Sequence, residues 1–152
     1  MAFRYSTKLF NEFLGQVKTQ LADGVIHFYS GAQPASPDNA VTATLISTVT
    51  VAGGAFTPGS PTNGLEFGTV ANAALDKAAA EEWKFTCVNA GTIGWGRFVG
   101  NAVDAGAQSA VLPRIDFSVG ITSGDMRMSK VTYAVGETGV VQQFLIPLTN
   151  IS

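Results

Sequence analysis

The chain has 152 residues, a formal net charge of -2 and only 13% charged residues, and this length suits a single domain, residues 1–152, that buries about two-thirds of its unfolded surface. Its nine Lys and Arg residues are scattered, so it lacks the basic cluster that would hold nucleic acid through phosphate contacts. A single cysteine excludes an internal disulfide, and no apolar stretch reaches the roughly 20 residues that cross a bilayer, so we predict neither a nucleic-acid nor a membrane partner.

The chain opens with a predicted amphipathic helix from about Thr7 to Ala22, within residues 6–23. Ser6 or Thr7 can supply the N-cap, and Gly24 stands where a helix-ending residue with positive φ is expected. The apolar stripe of this helix either packs on the chain's own sheet or docks into a neighbouring subunit. Its members recur at i, i+3 and i+4 and are Leu9, Phe10, Phe13, Leu14, Val17 and Leu21.

The following residues, 24–150, show the pattern of β-strands separated by turns. The β-branched run Val41–Val51 is typical of a strand. Residues 69–82 favour a helix by composition, but strands flank them and they lack a stripe of large residues. We expect an irregular connection there, with at most a short helical turn. The remaining predicted strands are Val25–Tyr29, Leu65–Phe67, Trp83–Cys87, Trp95–Val99, Ile115–Val119, Val131–Val135 and Val140–Leu148, the last entered through a hairpin turn at Gly136–Gly139.

About eight strands at this spacing predict a mainly β fold, a jelly-roll-type β-sandwich of antiparallel strands with one N-terminal amphipathic helix. An immunoglobulin-like sandwich is the alternative, although the cysteine pair of its disulfide-bonded form is missing. Arg114 and Asp116 alternate with Ile115, Phe117 and Val119. We interpret Arg114 and Asp116 as a solvated or interfacial charge pair on the outer side of their strand.

The sequence carries no signature of catalysis. His27 is the only histidine and lies between two apolar residues, which favours a structural role. Neither the G-x-S-x-G elbow of serine hydrolases nor a phosphate-binding glycine loop occurs, although two acids distant in sequence could meet as a carboxylate pair. Cys87 shares a strand face with Trp83 and Phe85, which predicts a core thiol. We therefore predict a protein that is not an enzyme and has no cofactor and no metal.

Several sequence blocks carry a resemblance to a known family. They are YSGAQPASPD (29–38), WKFT (83–86) with GWGRFVG (94–100), and PRIDFSVG (113–120) with GDMRMS (124–129). In these blocks, and in their order along most of the chain, the sequence resembles a family of small virion structural proteins of tailed bacteriophages. The resemblance implies a jelly-roll decoration or cement protein, made in the host bacterial cytoplasm, that binds the outside of the head shell.

The same resemblance implies partners and leaves alternatives open. The expected partners are the major capsid protein and other copies of the chain, in a dimer or trimer. A neck, tail or baseplate component would have the same composition. A receptor- or carbohydrate-binding virion module is a further alternative, in which an outward Trp95 near Asp104 and Gln108 would serve.

The two ends of the chain supply the predicted contact residues. A small domain has least need of apolar residues near its ends, so the helix and the segment Phe144–Ile151 are expected to contribute to interfaces. The low charge is consistent with a surface that meets protein, and a neutral β domain would show it as well. The predicted interface residues are Leu9, Phe10, Phe13, Leu14, Val17, Phe144, Ile146 and Leu148.

Overall fold

A computed structural model describes residues 3–148 as a mainly β, sandwich-like fold with one N-terminal helix, as the sequence predicts. Within these residues the helix α1 spans Thr7–Leu21, and eleven strands follow it. Five strands have five to eight residues and the others have two to four. The strands are β1 Val25–Ser30, β2 Thr44–Val51, β3 Ala74–Asp76, β4 Trp83–Cys87, β5 Gly91–Thr92, β6 Trp95–Val99, β7 Arg114–Gly120, β8 Met126–Arg127, β9 Thr132–Tyr133, β10 Thr138–Val141 and β11 Leu145–Pro147.

Seven of the strands form one curled sheet in the order β10-β4-β2-β1-β6-β7-β8. All neighbours in it pair antiparallel except β7 and β8, where Val119 lies opposite Met126 in a parallel pair. Two short antiparallel ladders, β11-β3 and β5-β9, complete the β-structure of the described residues. Residues of α1 and of both ladders join the core against the inner face of the large sheet.

Aromatic rings fill the core. Phe144 has ring centroids of four neighbours within 6.2 Å, including Phe117 at 5.0 Å and Trp83 at 5.8 Å. Phe28 and Phe85 meet edge to face at 5.3 Å. Burial of each such side chain stabilises the fold by about 1.5–3 kcal/mol.

The helix packs on its own domain. Leu14 and Leu21 are 0% and 2% exposed, which confirms the first of the two predicted alternatives for the stripe. Ser6 is the N-cap, because its Oγ accepts a hydrogen bond of 3.3 Å from the amide of Leu9. The prediction that Gly24 ends the helix with a positive φ was wrong, because Asp23 adopts that conformation, with a φ of 55°. Gly24 is needed for space instead, because a Cβ there would lie 2.1 Å from the carbonyl oxygen of Val99.

Two predicted strands in the first half of the chain differ from the structure: the strand predicted at Val41–Val51 forms but starts three residues later, and the one predicted at Leu65–Phe67 does not form. β2 starts at Thr44, because the amide of Val41 donates to the carbonyl of Gly106 in a distant loop at 2.8 Å. Leu65–Phe67 forms two isolated bridges, to Gly24 and to Lys77, and no continuous strand.

The segment 69–82 contains a strand that its composition conceals. A tight turn reverses the chain at Asn72 and Ala73, which both have positive φ, and β3 follows and pairs with β11. No helical turn forms in this segment. Pairing with a strand from the other end of the chain therefore overrides the helix propensity of its alanines.

The predicted final strand Val140–Leu148 is broken in two. β10 pairs with β4 and β11 pairs with β3, so the chain crosses between sheets at residues 142–144. Phe144 turns into the core at 5% exposure, which ends the alternation. The turn at Gly136–Gly139 was also wrongly predicted as a hairpin, because β9, which precedes it, pairs with β5.

Candidate functional site

A polar row crosses the outer face of the large sheet. The strand register places Thr86, Thr48, His27, Arg97 and Asp116 opposite one another on β4, β2, β1, β6 and β7. Because side chains alternate between the two faces of a sheet, all five belong to the face opposite the aromatic core. This row depends on pairing between distant segments, so no local sequence signal could reveal it.

Arg97 and Asp116 form a buried ion pair within this row. The guanidinium donates from Nε to Oδ1 at 2.6 Å and from Nη2 to Oδ2 at 2.8 Å, the two-point geometry that suits a carboxylate. The side chains are 1% and 2% exposed. Arg97 Nη1 also donates to the carbonyl of Asn39 at 3.2 Å, so the pair fastens the loop before β2 onto the sheet.

A second buried pair joins Arg114 to Asp104, with Nη2–Oδ1 at 2.6 Å and Nε–Oδ2 at 2.7 Å. These side chains are 1% and 4% exposed. Arg114 Nη1 donates to the carbonyl of Pro37 at 3.1 Å. The predicted charge pair between Arg114 and Asp116 was therefore wrong: each binds a different partner, because the segments around Pro37 and Asp104 cover this part of the face.

The environment of Asp104 favours its charged form. Burial raises the pKa of this carboxyl, but hydrogen bonds from Arg114 and from the amide of Gly106, together with the charges of Arg114 and Arg97, outweigh that effect and hold the pKa below its usual range. The two arginines and two aspartates thus neutralise one another within the covered half of the face.

His27 lies at the boundary between the covered half and the open half. Its Nδ1 is 2.9 Å from Thr48 Oγ1. Burial lowers the pKa of His27, the charge of Asp104 opposes this, and the charge of Arg97 adds to it. Two cavities of about 160 Å³ and about 340 Å³ meet at His27 and Leu45.

A hydroxyl beside an imidazole raises the possibility of a nucleophile and base, which the geometry does not complete. A third group must orient the base in such an arrangement. Both oxygens of Asp104 accept from Arg114, and Oδ1 also accepts from the amide of Gly106. His27 Nδ1 and Thr48 Oγ1 form a cross-strand hydrogen-bonded pair.

Trp95 does not form the exposed platform of the predicted receptor-binding alternative. It is 1% exposed and stacks on Tyr29 with ring centroids 4.5 Å apart. The guanidinium carbon of Arg97 lies 5.7 Å from its ring. Within residues 3–148 its buried Nε1 has no hydrogen-bond partner. Trp95 therefore lies buried on the same face of β6 as Arg97, outside the aromatic core.

The predicted core thiol is confirmed. Cys87 is 2% exposed on the inner side of β4. Burial raises the pKa of its thiol, and the negative charge of Glu137 raises it further. The thiol form is therefore favoured at neutral pH.

The structure divides the predicted interface residues into three groups. Phe10, Leu14 and Phe144 lie in the core at 9%, 0% and 5% exposure. Another group is half-buried against that core, whereas Leu9 and Phe13 are 40% and 45% exposed. Of the predicted contact segment, residues 149–151 lie outside the described part of the chain. The half-buried group consists of Val17, Ile146 and Leu148.

Four exposed apolar side chains lie before α1 or in its first two turns, in a set that we call the aromatic face: Phe3, Tyr5, Leu9 and Phe13. Phe3 is 86% exposed and Tyr5 is 45% exposed. Tyr5 is held in place, because its ring lies 5.8 Å from Phe10 and 6.1 Å from Phe13, edge on in both cases. The contact with Phe10 is the hydrophobic staple of a helix N-terminus. That pattern could have revealed Tyr5, which the sequence analysis missed together with Phe3.

Comparison with known proteins gives no relatives. No protein-family model matches the chain, and no curated protein or solved structure is significantly similar to it. Across the described range 3–148, none of the helices has the length and apolar character to span a membrane. In that same range, no three His, Cys, Asp or Glu side chains gather as the ligands of a metal ion would.

Proposed function

We propose that the chain is a virion structural protein of a tailed bacteriophage, a head decoration protein that binds the outside of the capsid lattice and stabilises it. The sequence blocks given above support the lineage. The observation that carries a role in assembly is the aromatic face, whose side chains are exposed and do not belong to the hydrophobic core. The major capsid protein is the proposed partner.

The size of the aromatic face supports a contact surface. An aromatic side chain can bury about 150–250 Å², so the exposed fractions of its three rings and of Leu9 leave on the order of 400 Å² of apolar surface. The largest apolar patch on a typical monomeric protein measures about 300–600 Å² and is often functional. Such a patch suits binding by surface area, as attachment to a lattice requires.

The rigidity of Tyr5 supports the same role. Its ring touches both the core residue Phe10 and the exposed residue Phe13, so it does not have to be ordered on binding. Side chains that are fixed before association lose less conformational entropy in the complex. Aromatic anchors of this kind contribute most to the binding free energy of many interfaces.

The number of copies per virion tests the proposal. Virions of the phage that encodes the chain are purified, and the chain is quantified against the major capsid protein by mass spectrometry with labelled standard peptides. A decoration protein gives hundreds of copies per particle. About six or twelve copies would place the chain at the neck or tail, as expected from the symmetry of those parts, and would refute decoration. Absence from the virion would refute the virion role.

Binding to emptied heads tests the location independently. Heads stripped of the chain are incubated with purified chain and then sedimented. We expect saturable binding of the unmodified chain and increased resistance of the heads to heat. Heads that were never stripped are the control, since their sites are already occupied.

A further inference from the structure

The flank of α1 that carries the aromatic face continues towards the other end of the helix. Leu9, Phe13, Gln16 and Gln20 follow the spacing i, i+4, i+7 and i+11, which places them on one face of a helix. At a rise of 1.5 Å per residue this face extends about 17 Å from Leu9 to Gln20. Lys8 and Glu12 form their own ion pair at 2.9 Å on the neighbouring exposed side.

The two ends of this flank differ in shape. Exposed rings project at the N-terminal end, where Phe3 is 86% exposed. At the C-terminal end a groove of about 240 Å³ lies between the helix and the start of β7, and apolar side chains that include Val17, Pro113 and Ile115 line it. Val111, 90% exposed, lies two residues before Pro113. Projection and recess thus lie on one continuous surface.

We propose that two copies of this chain pair through this flank with their α1 helices antiparallel, so that the aromatic face of each copy covers the groove of the other. A two-fold axis presents the same surface from both partners, reversed in direction. The two-fold axis therefore brings the projecting end of each copy against the recessed end of the other. In this arrangement Phe13 lies near the axis and meets Phe13 of the second copy, while Leu9 faces the region of Gln16 and Val17.

The available area agrees with a pair of copies. Each partner in an interface of standard size contributes about 800 Å², and the aromatic face supplies on the order of half of that as apolar surface. The groove adds more, and Gln16 and Gln20 provide the polar rim that such interfaces have. The pairing rests on the proposed function and deepens it, because it assigns the aromatic face to a second copy and leaves the capsid protein to other surfaces of the pair. It is measured without any head shell.

Sedimentation velocity of the full chain over a range of concentrations tests the pairing. We expect a reversible dimer, and we expect Phe13→Lys to weaken it by at least tenfold, because two lysines would meet near the axis. Thr19→Lys is the matched control, since it adds the same charge to an exposed position about a quarter of a turn away from the flank, on the side of the helix that carries Lys8 and Glu12. Circular dichroism checks that both variants fold. A wild-type chain that stays monomeric up to about 1 mM would overturn the proposal, as would equal dimerisation of the two variants.

Cysteine cross-linking tests the direction of the helices. The native thiol, Cys87, is 2% exposed and does not compete. Under mild oxidation we expect covalent dimers from Phe13→Cys and none from Thr19→Cys. A mixture of Leu9→Cys and Gln16→Cys chains should cross-link to each other more readily than Leu9→Cys chains cross-link to themselves. The reverse result would show parallel helices and would refute the antiparallel pairing.

The two proposals fail separately. A dimer in solution from a chain that is absent from the virion refutes only the decoration role. A chain present in hundreds of copies that never dimerises refutes only the pairing, and the aromatic face would then be available to the capsid protein.

Discussion

At the scale of single residues, Arg97 joins three parts of the chain: β6, Asp116 on β7, and the carbonyl of Asn39 in the loop before β2. Arg97→Met leaves the carboxylate of Asp116 buried without its partner. We expect the free energy of unfolding, measured by urea titration, to fall by about 3–5 kcal/mol. The control Lys8→Met breaks a pair in which both side chains are exposed and should leave the unfolding curve unchanged.

A second variant separates the buried charge from lost packing. Replacing both partners, as Arg97→Met with Asp116→Leu, removes the uncompensated carboxylate, so we expect the double variant to regain much of the stability that Arg97→Met loses. A double variant less stable than Arg97→Met alone would contradict this account. It would show that the bonds to the loop, and not the charge, dominate the effect.

Gly24 and Gly15 are expected to respond to alanine in opposite directions. A Cβ on Gly24 would lie 2.1 Å from the carbonyl oxygen of Val99, whereas a Cβ on Gly15 would have no atom within 4 Å. Gly24→Ala should lower the free energy of unfolding by about 1–3 kcal/mol, since backbone must move. Gly15→Ala should raise it by about 0.5–1 kcal/mol, because alanine favours a helix interior. Equal thermal shifts in the two variants would refute the close approach of Gly24 to the backbone of β6 at Val99.

His27 makes stability depend on pH. Its folded-state pKa is lowered, chiefly by burial, so the unfolded chain takes up the proton first as the pH falls. The stability that neutral His27 contributes is therefore complete above its ordinary pKa of about 6.5 and is lost as the pH falls below that value. Urea titrations at a series of pH values should show this slope in the wild type and in Thr48→Val, which keeps the imidazole. The slope should be reduced in His27→Gln, and its persistence there would assign it to another group.

At the scale of elements, α1 was predictable because its signals are local. Ser6 caps it, and apolar residues follow its period. Ser6→Ala removes the acceptor for the amide of Leu9, so we expect the free energy of unfolding to fall by about 1 kcal/mol. Thr7→Ala, the exposed neighbour that does not make the cap bond, is the control. Equal losses in the two variants would show that the bond of the cap has no effect of its own.

The positions of the strands in the sheet could be predicted from the sequence, but the pairing between them could not. The predicted bounds of β4 and β6 match the observed ones, because apolar and polar residues alternate along β4 and glycines flank β6. The contacts between strands could not be predicted, because they depend on segments that are distant in sequence. Arg114 binds Asp104, and Phe144 joins the core, only once such segments meet. Likewise β3 exists because β11 pairs with it. The pairing register of distant strands determines which side chains meet, and a single sequence does not reveal that register.

At the scale of the whole molecule, the two faces of the large sheet are covered in different ways. Apolar contacts hold α1 and the short ladders on the inner face, while two ion pairs hold irregular loops on part of the outer face. The aromatic face at the start of α1 remains exposed. The helix thus has two roles that single substitutions separate: its buried residues complete the core and its exposed residues provide a contact surface.

Removal of the helix therefore cannot measure docking alone. Deleting residues 1–21 takes Leu14 and Leu21, at 0% and 2% exposure, out of the core. Each loss of a buried leucine side chain costs about 2–5 kcal/mol, and two of them approach the whole stability of about 5–15 kcal/mol of a typical domain. We expect the truncated chain to lose its cooperative thermal transition, followed by circular dichroism. Leu9→Lys with Phe13→Lys, which changes only exposed positions, should keep that transition, so loss of head binding or of dimers in this variant would report on the contact surface itself. A truncated chain that still melts cooperatively would show that the sheet closes its core without α1.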